Sequence, residues 1–206
     1  SLKRLNRDYI DLYQVHYRDG KTPLSDVAES LEILKDQGKI RYYGLSNIHA
    51  EDAEELKSLP NNPFVSFQDE YSLACRKNEK EMFSFRDEFL MTPFTWGSLG
   101  QGILSGKYDK NCKFEANDRR SREIYVNFHG EKLLKNLEIV EVLKEIANET
   151  GKSVSSVAIR WILEYLKDSV VIVGAKSPKQ VLQNAESLSF SLTDEQIGKL
   201  DKISKE

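Results

Sequence analysis

Residues able to bind a ligand stand directly after several short apolar segments of this sequence. They are His16, Ser46 with Asn47, Gln68, Trp96, and the run that contains Gly174, Lys176 and Ser177. A neutral imidazole can donate a hydrogen bond that polarises a carbonyl group, and amide and hydroxyl side chains can pair with a polar ligand. A lysine in front of a helix N-terminus suits an anion. The repeated placement of such residues indicates a ligand-binding edge.

Each of these residues also has a structural interpretation that the sequence leaves open. His16 could be a surface histidine, which is the commoner case when the residue is considered alone. Ser46 and Asn47 could cap the following helix, a position that both residue types favour. Trp96 could be a core residue, and core packing is the better interpretation for Trp161, which lies among apolar residues of a predicted helix.

A glycine-rich segment follows Trp96. It contains Gly97, Gly100, Gly102 and Gly106, and polar residues continue to position 122. Glycines allow a backbone to approach a pyrophosphate closely. The spacing is not a GxGxxG motif after a first strand, so it does not indicate a Rossmann fold. A flexible surface loop is the alternative interpretation.

The elements that would position these residues alternate along the chain. Strands are predicted at residues 8–15, 40–45, 64–68, 89–96 and 169–173, the last apolar enough for burial on both faces. Helices are predicted at residues 25–37, 50–59, 78–85, 131–149, 154–166, 180–186 and 194–204, with N-caps Ser25, Ser153 and Thr193. The apolar face of the 131–149 helix comprises Leu134, Leu137, Val140, Leu143, Ile146 and Ala147. This alternation predicts parallel β/α units in one domain, residues 1–206, arranged as an open sheet or a barrel.

Composition narrows the class of protein. The chain has 206 residues, 39% hydrophobic and 31% charged, as in an ordinary globular protein. A net charge of -3 argues against a nucleic-acid partner, and the longest apolar stretches are too short for a membrane span. Cys75 and Cys112 are too few for a disulfide framework or a clustered cysteine metal site. We expect a cytoplasmic protein, since the N-terminus lacks the apolar region of a signal peptide.

The order of these end-of-strand residues resembles the aldo-keto reductases, from their fourth strand to their C-terminus. The matching segments are residues 8–16 (DYIDLYQVH), 38–47 (GKIRYYGLSN), 96–102 (WGSLGQG) and 174–180 (GAKSPKQ), followed by Asn184. The resemblance covers essentially the whole chain. It implies an α/β fold of the parallel (β/α)8 TIM-barrel type, here an incomplete barrel of about five strands with outer helices.

The resemblance also implies a function, the reduction of an aldehyde or ketone to an alcohol with NADP(H) rather than NAD(H). It assigns carbonyl polarisation to His16, nicotinamide contacts to Ser46, Asn47 and Gln68, and ring stacking to Trp96. Ser98, Leu99 and Gln101 are expected to close over the pyrophosphate. The segment with Gly174, Lys176, Ser177, Gln180, Gln183 and Asn184 is expected to bind the 2'-phosphate and adenine. Gln180 departs from the arginine of many family members, which weakens the preference for NADP(H).

Three further catalytic residues of the family, a Tyr, a Lys and an Asp, belong to β/α units that have no counterpart in this sequence. We therefore expect this chain to carry the cofactor-binding half of a truncated enzyme and to lack activity alone. A nucleotide-binding or redox-sensing subunit without turnover is one alternative, and a structural barrel fragment is another. A small carbonyl substrate is the expected partner. Self-association is also expected, through open sheet edges at the strands that start at Asp8 and Ser169.

Overall fold

A single sheet organises the protein. The structure is a computed structural model that describes residues 1–205. Its five strands are β1 (Ile10–Val15), β2 (Ile40–Ser46), β3 (Ser66–Glu70), β4 (Thr92–Trp96) and β5 (Val170–Val171). They are ordered β1-β2-β3-β4-β5, and β1 with β2 and β2 with β3 pair in parallel. The predicted order of adjacent strands is confirmed.

Helices separate the strands, as parallel pairing requires. They are α1 (Leu2–Leu5), α2 (Leu24–Asp36), α3 (Ala50–Ser58), α4 (Glu79–Asp87), α5 (Gly130–Thr150), α6 (Val154–Tyr165), α7 (Pro178–Ala185) and α8 (Asp194–Ser204). Short 3-10 turns occupy Gly100–Ser105, Arg119–Ser121, Val126–Phe128 and Glu186–Leu188. Ser153 and Thr193 cap α6 and α8 as predicted, because each side-chain oxygen accepts a backbone N–H in the first turn.

The chain divides into two compact units. One comprises Ser1–Asp69 and Asn78–Phe94, and the other comprises Glu70–Lys77 and the chain from Thr95 onward. The prediction of one domain over residues 1–206 stays a prediction.

The core of the first unit is aromatic where β2 meets β3. Tyr43 and Phe64 pack edge to face with ring centroids 5.4 Å apart. Next to Tyr43, Gly44 lies against β3 so closely that an added Cβ would stand 2.2 Å from the Ser66 Oγ. Only glycine fits at this position, since any side chain would push the two strands apart.

The core of the second unit forms around Trp161 on α6, which is fully buried as predicted. Its ring stacks with Tyr71, at a centroid distance of 5.9 Å, and with Tyr165, at 4.7 Å. Aromatic residues bury the largest areas, so this stack contributes much of the apolar burial in the unit.

The first and fourth strands begin at Ile10 and Thr92, later than the predicted residues 8 and 89. Four further predictions about the elements are wrong in detail. Pro23, not Ser25, is the N-cap of α2, because the fixed backbone angle of proline already suits a helix start. The buried face of α5 contains Leu133 and Asn136, whereas Leu134 is 55% exposed. The third strand begins at Ser66 rather than at residue 64. There the backbone N–H of Phe64 bonds to the side chain of Asn62 rather than to a strand.

The fourth error concerns β5, which has two residues instead of the predicted five and is not buried on both faces. Val170 is 42% exposed and Ile172 is 41% exposed. Within residues 1–205 the sheet order places no strand on the far side of β5. The hydropathy of a strand shows that its side chains favour burial. It does not show whether another part of the protein covers them.

A buried ion pair ties α8 to the segment after β3. The guanidinium of Arg76 donates to the Asp201 carboxylate at 2.8 Å and to the Ser204 hydroxyl at 2.8 Å. It also lies over the rings of Trp161 and Tyr165, at 5.1 Å and 4.9 Å from their centroids. Burial alone would raise the pKa of Asp201, but hydrogen bonds from its neighbours, Arg76 among them, hold it below its usual value.

Arg76→Met should lower the free energy of unfolding by about 2 kcal/mol, because it removes the guanidinium hydrogen bonds to Asp201 and Ser204, while Asp201 keeps its ion pair with Lys205. Arg122→Met, at an exposed position, is the control and should change it by less than about 0.5 kcal/mol. Urea denaturation measures both. The contribution of Asp201 is present above its unfolded pKa and is lost as the pH falls through the lower folded pKa. The variant should therefore lose less stability in acid than the native chain, and equal acid sensitivity would contradict this assignment.

Candidate functional site

Three of the predicted site residues are aligned across neighbouring strands at the carboxyl edge of the sheet. Val15 pairs with Leu45, so His16 follows β1 at the level of Ser46, and Ser46 pairs with Gln68. His16 is exposed, Ser46 is buried and Gln68 is half-buried. We refer to His16, Ser46, Asn47 and Gln68 as the edge row. The register of β1, β2 and β3 brings its members together.

Asn47 connects the members of the edge row. It has a φ of +54°, which asparagine tolerates better than most residues. Its Nδ2 donates to the His16 carbonyl at 2.9 Å and to the Ser46 hydroxyl at 3.1 Å, and its backbone N–H donates to the Gln68 carbonyl at 2.8 Å. The Ser46 hydroxyl donates to that same carbonyl at 3.1 Å. The predicted capping alternative for Ser46 and Asn47 is wrong, because His49 is the N-cap residue of α3.

Gln14 belongs to the same polar network, and the sequence analysis missed it. Gln68 Nε2 donates to the Gln14 Oε1 at 2.7 Å, and Gln14 Nε2 donates to the Ser66 hydroxyl at 3.1 Å. The signal was present, since residues two apart on a strand share a face and Gln14 lies two residues before His16. The network joins Gln68 to Gln14 and through it to Ser66.

The segment after His16 is fastened to α3 by Arg18. Its guanidinium pairs with Asp52 and donates twice to the Glu55 carboxylate, at 2.9 Å and 3.0 Å. Glu55 also accepts the backbone N–H of Leu24 at 2.8 Å. These hydrogen bonds, from Arg18 first and Leu24 second, lower the pKa of Glu55. Arg18, Tyr17, Asn47 and Glu55 are among the residues that line a cavity of about 500 Å³ beside the edge row.

In the second unit, Trp96 ends β4 and is half-buried. Its carbonyl accepts the backbone N–H of Tyr71 at 3.1 Å. Ser98 is buried, and its hydroxyl lies within hydrogen-bond distance of two carbonyl acceptors, those of Thr95 at 3.2 Å and of Ile172 at 3.1 Å. The Ser98 side chain thus contacts the residue that follows β5, and its predicted pyrophosphate contact stays a prediction.

The glycine-rich turn after Leu99 is a kinked 3-10 segment. Gly100, Gln101 and Gly102 follow one another with φ values of +55°, +55° and +104°. Gln101 is the member of this run for which a positive φ is costly. Its side chain bonds at both ends, to Glu70 and to Asn127.

The residues predicted to bind the adenosine end of a cofactor surround the start of α7. Ser177 is its N-cap and accepts the Gln180 backbone N–H at 3.3 Å, while the Gln180 Oε1 accepts the Lys176 N–H at 2.6 Å. Asn184 Nδ2 donates to the Gly174 carbonyl at 3.3 Å, and the Gln183 carbonyl accepts the Ser156 hydroxyl at 2.7 Å. The side chain of Lys176 is exposed at a helix N-terminus, where anions are favoured.

An aromatic cluster orders the polar insertion between the turn and α5. Arg120 lies over the rings of Tyr108, Phe114 and Phe128 at 5.4 Å, 4.4 Å and 5.8 Å. It also pairs with Asp118 and holds the pKa of that carboxyl well below its usual range, an effect to which Lys176 adds. The sequence analysis interpreted this segment as a surface loop and missed the contacts of Arg120 with the three rings. These four residues are dispersed in the sequence, so no local pattern connects them.

Residues 1–205 contain neither a metal-binding cluster nor a membrane-spanning helix. That part of the chain holds no group of three or more His, Cys, Asp and Glu side chains placed to bind a metal. It also contains no helix long and apolar enough to cross a bilayer.

The comparison with protein families decides between the fold alternatives. A sequence model of the Aldo/keto reductase family matches residues 1–205. This chain belongs to the aldo/keto reductase family. The family match therefore includes both the edge row and the segment around Lys176.

Two curated relatives of this aldo/keto reductase chain differ in description. The aldo-keto reductase YhdN from Bacillus subtilis (strain 168) is 34% identical over 95% of the chain. A protein described as a probable voltage-gated potassium channel subunit beta from Oryza sativa subsp. japonica is 33% identical over 98% of the chain. The chain spans 58% and 64% of the lengths of these two relatives.

Solved aldo/keto reductase structures share the fold. The glycerol dehydrogenase from Gluconobacter oxydans superimposes with a TM-score of 0.87 at 31% identity, covering 98% of this chain and 60% of its own. An aldo/keto reductase from Klebsiella pneumoniae, in complex with NADP and acetate, gives 0.76 at 26% identity and covers 98% and 62%. The predicted fold class, parallel β/α of the TIM-barrel type, is confirmed.

Arg18→Met should raise the pKa of Glu55 toward the ordinary glutamate value, because the largest stabilisation of its charged form is lost. Lys21→Met removes a positive charge from the same segment and should leave the pKa of Glu55 close to its native value. Carboxyl chemical shifts measured by NMR against pH report the pKa. If both variants shift it equally, the effect is general charge and not the Arg18 hydrogen bonds.

Proposed function

We propose that this chain carries the cofactor-side part of an NADP(H)-dependent aldo-keto reductase that reduces an aldehyde or ketone to an alcohol. The observation that carries the proposal is the edge row, in which His16 and the amides of Asn47 and Gln68 meet at the carboxyl ends of β1, β2 and β3. Binding and catalytic groups of β/α barrels come from this end of the strands. Family membership and the NADP complex of the Klebsiella pneumoniae relative support it.

The hydrogen-bonding capacity of the edge row fits a nicotinamide carboxamide. Asn47 Nδ2 uses both of its N–H groups, and Gln68 Nε2 uses one. Across residues 1–205 the Asn47 Oδ1 and the Gln68 Oε1 accept no hydrogen bond, so two acceptors and one donor are available. A carboxamide presents an NH2 donor and a carbonyl acceptor. The two sets are complementary.

The cofactor preference rests on Lys176. Its exposed ammonium stands at the start of α7, where the helix dipole also favours negative charge. Gln180 is engaged in the cap of α7 through the Lys176 N–H, which is consistent with a smaller role in phosphate binding than an arginine would have. We propose that Lys176 is the main cation for a 2'-phosphate, which favours NADP(H) over NAD(H).

In this proposal His16 and Trp96 act on the reacting groups. The bound nicotinamide supplies a hydride. His16 donates a hydrogen bond to the substrate carbonyl, which polarises and orients it, and its own backbone is held in place by Asn47. Trp96 presents an indole face for stacking on the cofactor ring. The protein's contribution is placement of the two reactants.

We further propose that the chain corresponds to an aldo-keto reductase from the fourth strand onward and is inactive by itself. The Tyr, Lys and Asp of the family's catalytic set have no matching motif among these residues. We also propose a cytoplasmic location, and self-association through the edges of β1 and β5. The exposed Val170 and Ile172 support an association edge at β5.

A second candidate is a nicotinamide-nucleotide-binding subunit without turnover. The observation that favours it is the 33% identity to a protein described as a probable channel subunit. Both candidates use the same nucleotide-binding residues. They differ in turnover alone, so the cofactor experiment tests what they share and the activity experiment separates them.

Lys176→Ala should weaken NADPH binding about tenfold and leave NADH binding nearly unchanged, because a charge-assisted hydrogen bond contributes about 1.5–3 kcal/mol. Quenching of Trp96 fluorescence measures binding, and Trp96→Phe checks the source of the signal. Lys179→Ala removes an exposed charge two positions beyond the cap residue Ser177 and serves as the control. Equal losses for the two nucleotides would show that Lys176 does not read the 2'-phosphate.

The purified chain should show no measurable carbonyl reduction, since a positioned proton donor contributes about 10²–10⁴-fold and the family's tyrosine has no counterpart here. Oxidation of NADPH with nitrobenzaldehyde, followed by absorbance, is the measurement. Addition of the family's preceding β/α units as a second polypeptide should create activity. Turnover by the chain alone that disappears in His16→Ala would refute the inactivity proposal.

A further inference from the structure

Four side chains of the second unit form a continuous amide chain behind the glycine-rich turn. Asn136 Nδ2 donates to the Asn127 Oδ1 at 3.1 Å, and Asn127 Nδ2 donates to the Gln101 Oε1 at 2.6 Å. Gln101 Nε2 then donates to the Glu70 Oε1 at 3.2 Å. We call Asn136, Asn127, Gln101 and Glu70 the amide relay. It runs from α5 through the 3-10 turn Val126–Phe128 to the end of β3.

The relay has one direction, set at both of its ends. A carboxylate accepts hydrogen bonds and does not donate them, so Glu70 requires Gln101 to present its NH2 group. At the other end, Asn136 Nδ2 also donates to the backbone carbonyl of Asn127 at 3.2 Å. A backbone carbonyl can only accept, so Asn136 must present its NH2 group to Asn127. Each amide between these ends is thereby fixed in a single orientation.

Because the asparagines of the amide relay are buried, reversing one of their amide groups would be destabilising. Asn136 is fully buried and Asn127 is 5% exposed. A reversed amide would set oxygen against oxygen in a place that water does not reach, and an unsatisfied buried polar group costs about 1–3 kcal/mol. Asn127 also lies against the turn itself, since its Nδ2 is 3.5 Å from the position of an added Gly100 Cβ.

Gln101 is the residue that needs this support. Its φ of +55° lies in the left-handed region, and a non-glycine residue stays there when its surroundings hold it. The relay makes hydrogen bonds to both the NH2 group and the oxygen of the Gln101 amide. Neither Asn127 nor Glu70 belongs to the predicted site, and Asn127 is 26 residues away from Gln101 in the sequence.

We propose that Asn127 is a positioning residue that holds the turn at residues 97–105 in its ligand-ready shape by fixing the amide of Gln101. The relevance of that shape to a dinucleotide rests on the proposed function. The relay itself does not, because it is a property of the folded chain. It also links the turn to α5 and to the insertion before it, so that the turn and the insertion hold their positions together.

Asn127→Asp tests the proposal through the direction of the relay. The change keeps the acceptor for Asn136 but sets a second carboxylate against Gln101, which has one NH2 group to share between Asp and Glu70. Amide hydrogen exchange in residues 97–105 and 126–136 should rise about tenfold, while exchange in α6 stays unchanged. Asn111→Asp makes the same chemical change at an exposed site and should have no effect.

Glu70→Gln supplies the decisive control. Alone it should leave exchange near the native level, because a glutamine carbonyl still accepts from Gln101. Combined with Asn127→Asp it should restore protection, since Gln101 can then reverse, donating to position 127 and accepting from position 70. A double variant that exchanges as fast as Asn127→Asp, or a single variant that exchanges no faster than the native chain, overturns the proposal. If Asn127→Asp unfolds the whole chain, recovery of folding in the double variant decides in the same way.

NADPH titration separates this inference from the proposed function. The proteins titrated are the native chain, Asn127→Asp, Glu70→Gln and the double variant. Binding should weaken about tenfold in Asn127→Asp and recover in the double variant. If exchange follows the predicted pattern but no protein quenches with NADPH, the relay stands and the cofactor assignment fails. If NADPH binds equally to all four while exchange changes, Asn127 holds the turn without serving the ligand, and the positioning role is refuted.

Discussion

The pairing of β1, β2 and β3 is the constraint on which the candidate site depends. Backbone hydrogen bonds of parallel strands place Val15 beside Leu45 and Ser46 beside Gln68, and this register carries His16 to the same edge. The pairing is possible because Gly44 leaves room for Ser66, where any Cβ would collide. A shift of one residue would turn the side chains of a strand to the opposite face. The site is therefore a consequence of strand register before it is a set of side chains.

Orientation within the site comes from polar groups that are bonded on one side and open on the other. Asn47 commits its NH2 group to His16 and Ser46, and Gln68 commits one N–H to Gln14. The carbonyl oxygen of Asn47 is thereby directed to the remaining side, because the His16 carbonyl can only accept. The same principle operates in the amide relay behind Gln101. Fixed amides recognise a ligand without paying again in side-chain entropy when it binds.

Local sequence signals predicted the local structure well, and pairings between distant residues escaped them. The caps Ser153 and Thr193 act on residues three positions away, so the sequence displays both partners together. The ion pair of Arg76 with Asp201 spans 125 positions, and nothing in the sequence connects its members. The exposure of β5 failed for another reason, since an apolar strand has the same composition whether or not it is covered. The positions of His16, Asn47 and Gln68 at one edge could be predicted from the strands, whereas their ligand contacts, which the family resemblance implies, stay predictions.

The aromatic cluster around Arg120 lowers the entropy cost that the insertion between β4 and α5 would add to ligand binding. Tyr108, Phe114 and Phe128 give that segment a small core of its own, and Asp118 holds the guanidinium at its centre. A disordered loop that closes on a ligand loses backbone freedom of about 1–2 kcal/mol for each residue that becomes fixed. Here folding has already ordered the segment. A ligand that contacts this insertion binds a segment that is already folded. The affinity of the ligand is therefore not reduced by the entropy of ordering a loop.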